Sequence, residues 1–283
     1  MSVSCAASYA YSRQVARTRA KNFYYSFVLL EKQQRDAMCA IYAFMRYCDD
    51  LSDEGGATTA MMDAWREAMV DALCGKFNDH PVWPAFHDTV QRFKIPHEYF
   101  HHMIDGVSSD LEPRKIETFD ELYKYCYQVA SVVGLTIVHI FGFKDPQALV
   151  LAEKCGIAFQ LTNIIRDVRE DHELGRRYIP AENLRRFGAN VQQIENTAAW
   201  VAVLRHEADK ARHYYEESRP LVGMVDARSR ASLWALIEIY WRLFLRIEAS
   251  GFAVFEKRIR LTAWEKVKVI TEAYFKKELR QSG

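Results

Sequence analysis

The stretch LVLAEKCGIAFQLTNIIRDVRED, residues 149–171, decides the fold and carries most of the chemistry. Leu149, Val150, Leu151, Ala152, Ile157, Ala158, Phe159, Leu161, Ile164, Ile165 and Val168 are spread almost all round a helical wheel, and a helix that is apolar on nearly every side is a buried one. One polar row runs through it: Gln160, Asn163, Asp167 and Asp171. Steps of three and four residues keep that row on one face. Carboxylates on a buried helix are costly unless paired or metal-bound, and a solvated face would be broader and richer in Lys and Glu. The row therefore predicts a wet cavity. Its hard oxygen ligands, without Cys or His beside them, suit magnesium bridging to a phosphorylated substrate.

A second carboxylate pair lies upstream, Asp49 and Asp53 in RYCDDLSDE, residues 46–54. At i,i+4 the two are about 6 Å apart along a helix axis and repel one another. Stepping back from Asp49 by four, seven and eleven gives Met45, Tyr42 and Met38, so the pair continues an apolar stripe. Two readings stay open: an opposite wall of the same cavity, or a helix end fraying before Gly55–Gly56 with Asp53 and Glu54 in water. Arg46, Arg166, Arg176 and Arg177 accompany the motifs. Arginine grips phosphate bidentately, although Arg46 with Asp50 and Arg166 with Glu170 also have ion-pair spacing. Phe23, Tyr24, Tyr25, Tyr42, Tyr125, Tyr127, Phe159 and Tyr240 serve ordinary packing or line an apolar pocket whose π faces steady a carbocation.

Around these motifs the chain reads as helix. Segments near 5–20, 33–53, 58–75, 84–93, 96–110, 119–142, 145–172, 191–218, 227–250 and 263–280 repeat apolar residues at helical steps. Breaks fall at GGATT, FNDHPVWP, KIPHE, LEPRKIETF, FKDPQ and ELGRRYIP. No alternating strand, glycine-rich nucleotide loop, repeat or low-complexity linker interrupts them, so the expectation is one all-α domain, 1–283, of about ten helices. With 283 residues, 49% of them hydrophobic, and only 12 Gly and 7 Pro, the chain can bury a large core in long elements. A net charge of +1 with interleaved signs gives no field for nucleic acid. Cys5, Cys39, Cys48, Cys74, Cys126 and Cys155 form no C-x-x-C pair and read as reduced, buried thiols of a cytoplasmic protein. The nine histidines make no metal spacing, and His101–His102 reads as a surface pair. The uncharged run 129–143 is too short to span a bilayer and reads as a core helix. At most the protein visits a membrane peripherally.

Taken in order, KNFYYSFVLL (21–30), AIYAFMRYCDDLSDE (40–54), IDGVSSDLE (104–112), YCYQVASVVG (125–134), QLTNIIRDVRED (160–171) with ELGRRYIP (173–180), and GFAVFEKRIRLT (251–262) resemble the squalene/phytoene synthase family of head-to-head prenyl transferases. The likeness covers nearly the whole chain, and its ending is similar to phytoene synthases and bacterial presqualene diphosphate synthases. It implies an isoprenoid synthase helical bundle with a central cavity. It implies that Asp49, Asp53, Asn163, Asp167 and Asp171 hold Mg2+, with the four aspartates and Tyr125 catalytic. Tyr42, Arg46, Gln160, Arg166, Arg176 and Tyr240 match substrate contacts, and Arg19, Lys21 and Asn22 match a stretch near a diphosphate, although a small hydroxyl is usual where Asn22 stands. The implied reaction ionises one prenyl diphosphate and joins it to a second, two farnesyl diphosphates giving presqualene diphosphate or squalene. NADPH enters if squalene is the product; geranylgeranyl diphosphate and phytoene are the alternative. A terpene cyclase, a chain-elongating transferase and a non-catalytic assembly protein of the same fold are the other readings, each disfavoured by intact D-x-x-x-D pairs.

Overall fold

The computed structural model describes residues 3–20, 23–53, 58–112 and 114–279, with Phe23, Ser52, Asp53 and 277–279 described in their backbone alone. The all-α expectation holds. Among the described residues there is no strand, and two isolated bridges, Lys115 with Arg177 and Phe143 with Val225, merely pin loops. The helices are α1 (Cys5–Arg19), α2 (Phe23–Phe27), α3 (Lys32–Asp53), α4 (Thr59–Leu73), α5 (Trp83–Phe93), α6 (Glu98–Ser108), α7 (Phe119–Cys126), α8 (Val132–Phe141), α9 (Gln147–Glu173), α10 (Ala181–Phe187), α11 (Ala198–Ser218), α12 (Leu221–Met224), α13 (Arg230–Ala249) and α14 (Ala263–Leu279). Starts follow local chemistry. Thr58, Thr118 and Thr197 each accept a bond from the backbone N–H three residues on, which satisfies one of the donors a helix start leaves open.

Two expected helices differ. The segment 119–142 is broken by a π turn, Tyr127–Ser131, between α7 and α8. A π turn inserts where packing asks for an extra residue, and here it meets Gly156: a Cβ on that glycine would lie 2.5 Å from the Ser131 Cα. The segment 191–218 becomes helical only at Ala198, because the Trp200 indole N–H donates to the carbonyls of Asn190 (3.0 Å) and Gln193 (2.9 Å) and fixes the preceding chain as a loop. The short helices α2, α10 and α12 have too few residues to display a period, so the described chain holds more helical segments than the ten expected.

The buried apolar residues form one contiguous cluster. Helix α9 lies at its centre, packed by α11, α8, α13, α12, α7 and the π turn. In the N-terminal half Phe44 sits among Trp65, Trp83, Phe86 and Phe100, with ring centroids 4.6–6.0 Å away. The stretches Phe119–Phe141 and Gln147–Glu173 are long and apolar enough to cross a membrane, yet 56% and 61% of their most apolar windows are buried within the protein. They are core helices. Cys39, Cys48, Cys126 and Cys155 are buried as expected, whereas Cys5 and Cys74 are exposed. His101 and His102 are half-buried rather than surface groups, His102 lying edge-on to Tyr127 at 5.7 Å.

Candidate active site

The stripe on α3 and the polar row on α9 face one another across two joined cavities. The first, about 240 Å³, is lined by Met38, Ile41, Tyr42, Met45, Arg46 and Asp49 of α3, by α8 and α9, and by Phe27, Leu233, Leu236 and Tyr240 from α2 and α13. The second, about 260 Å³, is acidic: Asp49, Asp110, Asp167 and Asp171 line it with Tyr125, Tyr178 and Arg176. Met45, Asp49, Val129, Gln160 and Asn163 belong to both walls. A long apolar space thus opens on a cluster of carboxylates. Of the two readings left open for Asp49, the structure takes the first: it continues the Met38–Tyr42–Met45 stripe as the opposite wall.

The row on α9 is half-buried, as its setting in an apolar helix requires. Asn163 Nδ2 donates to Gln160 Oε1 at 3.2 Å, while Asn163 Oδ1 is buried with no hydrogen-bond partner among the described residues. Arg166 donates through Nε to Asp167 Oδ1 at 2.7 Å, and through Nη2 to the other oxygen. Arg258 holds that second oxygen at 2.8 Å and reaches Glu170 with its other nitrogen at 2.7 Å. The intrahelical pair Arg166–Glu170 is therefore replaced by Arg258–Glu170. Burial, the largest single influence, pulls the Arg166 pKa down, but the bond to Asp167 together with the charges of Asp167, Tyr240 and Glu170 leaves it raised. Burial, then the charges of Asp167 and Asp110, push the Asp171 carboxyl up to about 8, against the opposing pull of Arg176 and Arg166.

On α3, Arg46 pairs with Asp50, the spacing alternative foreseen for it, and still lines the apolar cavity. Burial pushes the Tyr42 hydroxyl up to about 12. Tyr240 is buried and stacks on Phe159, centroids 4.1 Å apart and planes 6° from parallel. Arg19 is exposed at the end of α1 and lines neither cavity. Lys21 and Asn22 lie outside the described residues, as does the side chain of Asp53. Arg177 lines neither cavity but a small pocket with Trp200, which shares Asp171, Arg176 and Tyr178 with the acidic cavity. Of the aromatics singled out, Tyr42, Phe159 and Tyr240 line the apolar cavity and Tyr125 the acidic one; Tyr24, Tyr25 and Tyr127 line neither.

Three polar residues escaped the sequence reading. Asp110 accepts from the Tyr125 hydroxyl at 2.9 Å and from the Tyr178 hydroxyl at 2.8 Å. The two rings stack 4.6 Å apart, and the Arg114 guanidinium lies 4.8 Å above Tyr125. Burial raises the Asp110 carboxyl even though both hydroxyls favour its charge. Burial foremost, and then Asp110, hold the Tyr125 hydroxyl well above the ordinary phenol range. The available signal was spacing: Met103, Val107 and Asp110 follow at helical steps and all line the acidic cavity. Tyr178 follows the GRR run, and Arg258, in a loop after α13, had no periodic pattern to announce it.

The donor set fits magnesium. Among the described residues no three His, Cys, Asp or Glu side chains meet closely enough to hold an ion by themselves. Magnesium does not ask for that: it is commonly held by one or two carboxylates, with waters and substrate phosphates completing the shell. The spare oxygen of Asn163 and the resisted ionisation of Asp171 both mark places where a hard cation would lower the energy.

A model of the squalene/phytoene synthase family matches residues 16–265. The chain is 35% identical over 276 residues to a phytoene synthase of Mycobacterium tuberculosis, covering 94% of this chain and 90% of that one. It is 33% identical over 280 residues to the 15-cis-phytoene synthase of Synechococcus elongatus, covering 92% and 90%. Among solved structures, a dehydrosqualene synthase in complex with ligand superposes with a TM-score of 0.89 at 29% identity, covering 98% of both chains. The squalene synthase HpnC from Alicyclobacillus acidocaldarius gives 0.81 at 27%, covering 87% of this chain and 94% of that one.

Proposed function

Because the chain belongs to the squalene/phytoene synthase family of head-to-head prenyltransferases, we propose that it joins two farnesyl diphosphates in a magnesium-dependent reaction, giving presqualene diphosphate or squalene. The observation that carries this reading is the meeting of the two cavities at Asp49, Gln160 and Asn163. A prenyl diphosphate has the same two-part character, an apolar chain ending in a doubly phosphorylated head. The prenyl chain would lie between Phe27, Leu236 and Tyr240, and the head at the carboxylate end.

Asp49, Asp53, Asn163, Asp167 and Asp171 would hold Mg2+, which when bound supplies charge stabilisation to a departing diphosphate. Arg46 and Arg176, which line the two cavities, and Arg166, beside Asp167, would grip phosphate oxygens, with Arg19, Lys21 and Asn22 as further contacts. In the first step the allylic C–O bond of one substrate breaks and its electron pair leaves with diphosphate. The double bond of the second substrate then attacks the cation, and loss of a proton closes the cyclopropane. The walls contributed by α2, α8 and α13 keep water from the cation. Phe159, Tyr42 and Tyr240 offer π faces to it. With both hydroxyl protons committed to Asp110, Tyr125 and Tyr178 turn lone pairs rather than protons to the acidic cavity. Tyr125 would therefore relay the departing proton, accepting it on a lone pair as its own hydroxyl proton passes to Asp110, which ends as the neutral acid. NADPH would supply hydride if the reaction proceeds to squalene.

The second reading replaces farnesyl by geranylgeranyl diphosphate and the product by phytoene, and the names of the curated relatives favour it. One incubation separates the two. Purified protein with Mg2+ is given each diphosphate, with and without NADPH, and the products are resolved by mass. Farnesyl diphosphate turned over to a C30 product, at least tenfold faster than C20, supports the first reading; the reverse preference supports the second. Both readings take the chain as one catalytic domain working in the cytoplasm.

A further inference from the structure

Helix α14 turns an aromatic face to solvent. Trp264 is 83% exposed, Phe275 58%, Tyr274 50% and Val267 42%. With Thr271 they fall at steps that place them on one side of the helix. The opposite side is anchored by Val269 and Ala273, both fully buried. Tertiary packing thus reverses the usual polarity of a surface helix: its larger apolar side chains point outward.

Charge sharpens the picture. Glu265 and Glu272 turn back to the protein, where Arg246 and Arg242 neutralise them. Lys268 lies on the outward aromatic face, and Lys276 rests exposed over the Trp234 ring at 3.7 Å. Residues 256–280 hold eight Lys or Arg against four Glu, in a chain whose net charge is +1. From Trp264 to Lys276 the outward face carries Trp, Tyr and Phe with Lys268 among them and no acid, which is the pattern of a helix lying in a lipid headgroup layer. A second copy fits less well, since a two-fold contact across this face would bring two Lys268 ammonium groups into one apolar patch. The position is also apt: α14 packs on α2 and α13, and Phe27, Leu233 and Leu236 of those helices form a wall of the apolar cavity.

We propose that α14 docks the protein on an anionic lipid surface, with Trp264, Val267, Tyr274 and Phe275 inserted at headgroup depth and Lys268 on acidic headgroups. The cavity's apolar wall then faces the bilayer. The surface argument stands without the proposed reaction, which would give the docking a use in delivering an apolar product.

The test is flotation of the full-length protein with vesicles of phosphatidylcholine alone, or with about a third phosphatidylglycerol, at ~0.15 M salt. The protein is expected to float with the anionic vesicles, to stay behind with the neutral ones, and to lose most binding at ~1 M salt, where charge is screened. The double variant Trp264→Ser/Phe275→Ser, and separately Lys268→Glu, should each weaken flotation at least tenfold while keeping the wild-type melting temperature. Equal binding to neutral vesicles, no flotation at all, or undiminished flotation of the double variant overturns the proposal. So does light scattering that shows a dimer broken by Trp264→Ser/Phe275→Ser, which would assign the face to a second copy. None of these outcomes depends on turnover, so failure here is distinct from failure of the proposed reaction.

Discussion

The two carboxylate walls share one spacing and differ in almost everything else. On α9, Asp167 and Asp171 sit on a helix buried along most of its length; Asp167 is held by Arg166 and Arg258, and Asp171 resists ionisation. On α3, Asp49 and Asp53 close the end of a helix, and the nearby arginine, Arg46, is engaged with Asp50. The α9 wall is an electrostatic device built into the core, while the α3 wall is a helix terminus aimed at it. Identical i,i+4 pairs therefore carry different costs, and each can be removed to show it.

The largest expected effect is on turnover. As proposed metal ligands, Asp167 and Asp49 should each lower kcat by about three orders of magnitude when changed to Ala, the several kcal/mol of charge stabilisation a bound metal supplies. They should part company in stability. Removing Asp167 leaves the 10%-exposed Arg166 side chain without its carboxylate, and breaking such a pair costs about 3–5 kcal/mol. Asp49→Ala, in the last turns of α3 rather than within the buried length of α9, should melt closer to wild type. If the two variants melt alike, the contrast between the walls is wrong.

Asp110 comes next. Asp110→Asn can accept from one tyrosine hydroxyl, but its amide must donate to the other, so one phenol is turned round. A loss in kcat of roughly a hundredfold, the lower end of what a positioned acid–base group contributes, is expected with KM and melting temperature nearly unchanged. A loss confined to KM would assign Asp110 to substrate binding instead.

How much of this was legible in the sequence depended on what each residue's neighbours did. The α9 row was readable because an apolar helix leaves a polar stripe nothing else to be. Asp49 needed the structure: a carboxylate near a helix end has the same pattern whether it meets water or a cavity. Asp110 and Tyr178 are joined only by the fold, 68 residues apart in sequence, and Arg258 reaches Asp167 across 91. Such contacts have no period. The π turn was hidden for a similar reason, since its cause is the close approach of Gly156 on another helix.

A smaller effect separates the walls in the metal-free protein. The folded state holds the Asp171 carboxyl near 8, well above its unfolded range, so ionisation opposes folding. Stability falls as pH rises from about 4 toward 8 and stays lower above it. With EDTA present, Asp171→Asn should melt a few degrees above wild type at pH 8.5 and level with it near pH 4; a gap independent of pH would sink this account. The smallest change is expected from Asp50→Asn. It frees Arg46 from a half-exposed pair worth at most about 1 kcal/mol, and turnover should stay within threefold of wild type. A loss approaching that of Asp49→Ala would show that the α3 wall was assigned to the wrong aspartate.

The central claim, that the two walls and the apolar cavity between them form one site for head-to-head coupling, is tested most directly by product analysis. Wild-type protein is incubated with Mg2+ and farnesyl or geranylgeranyl diphosphate, and products are identified by mass and fragmentation. The account predicts a head-to-head C30 or C40 product that disappears with EDTA. A cyclic terpenoid, a chain-extended diphosphate, or no magnesium-dependent product from either substrate would contradict it.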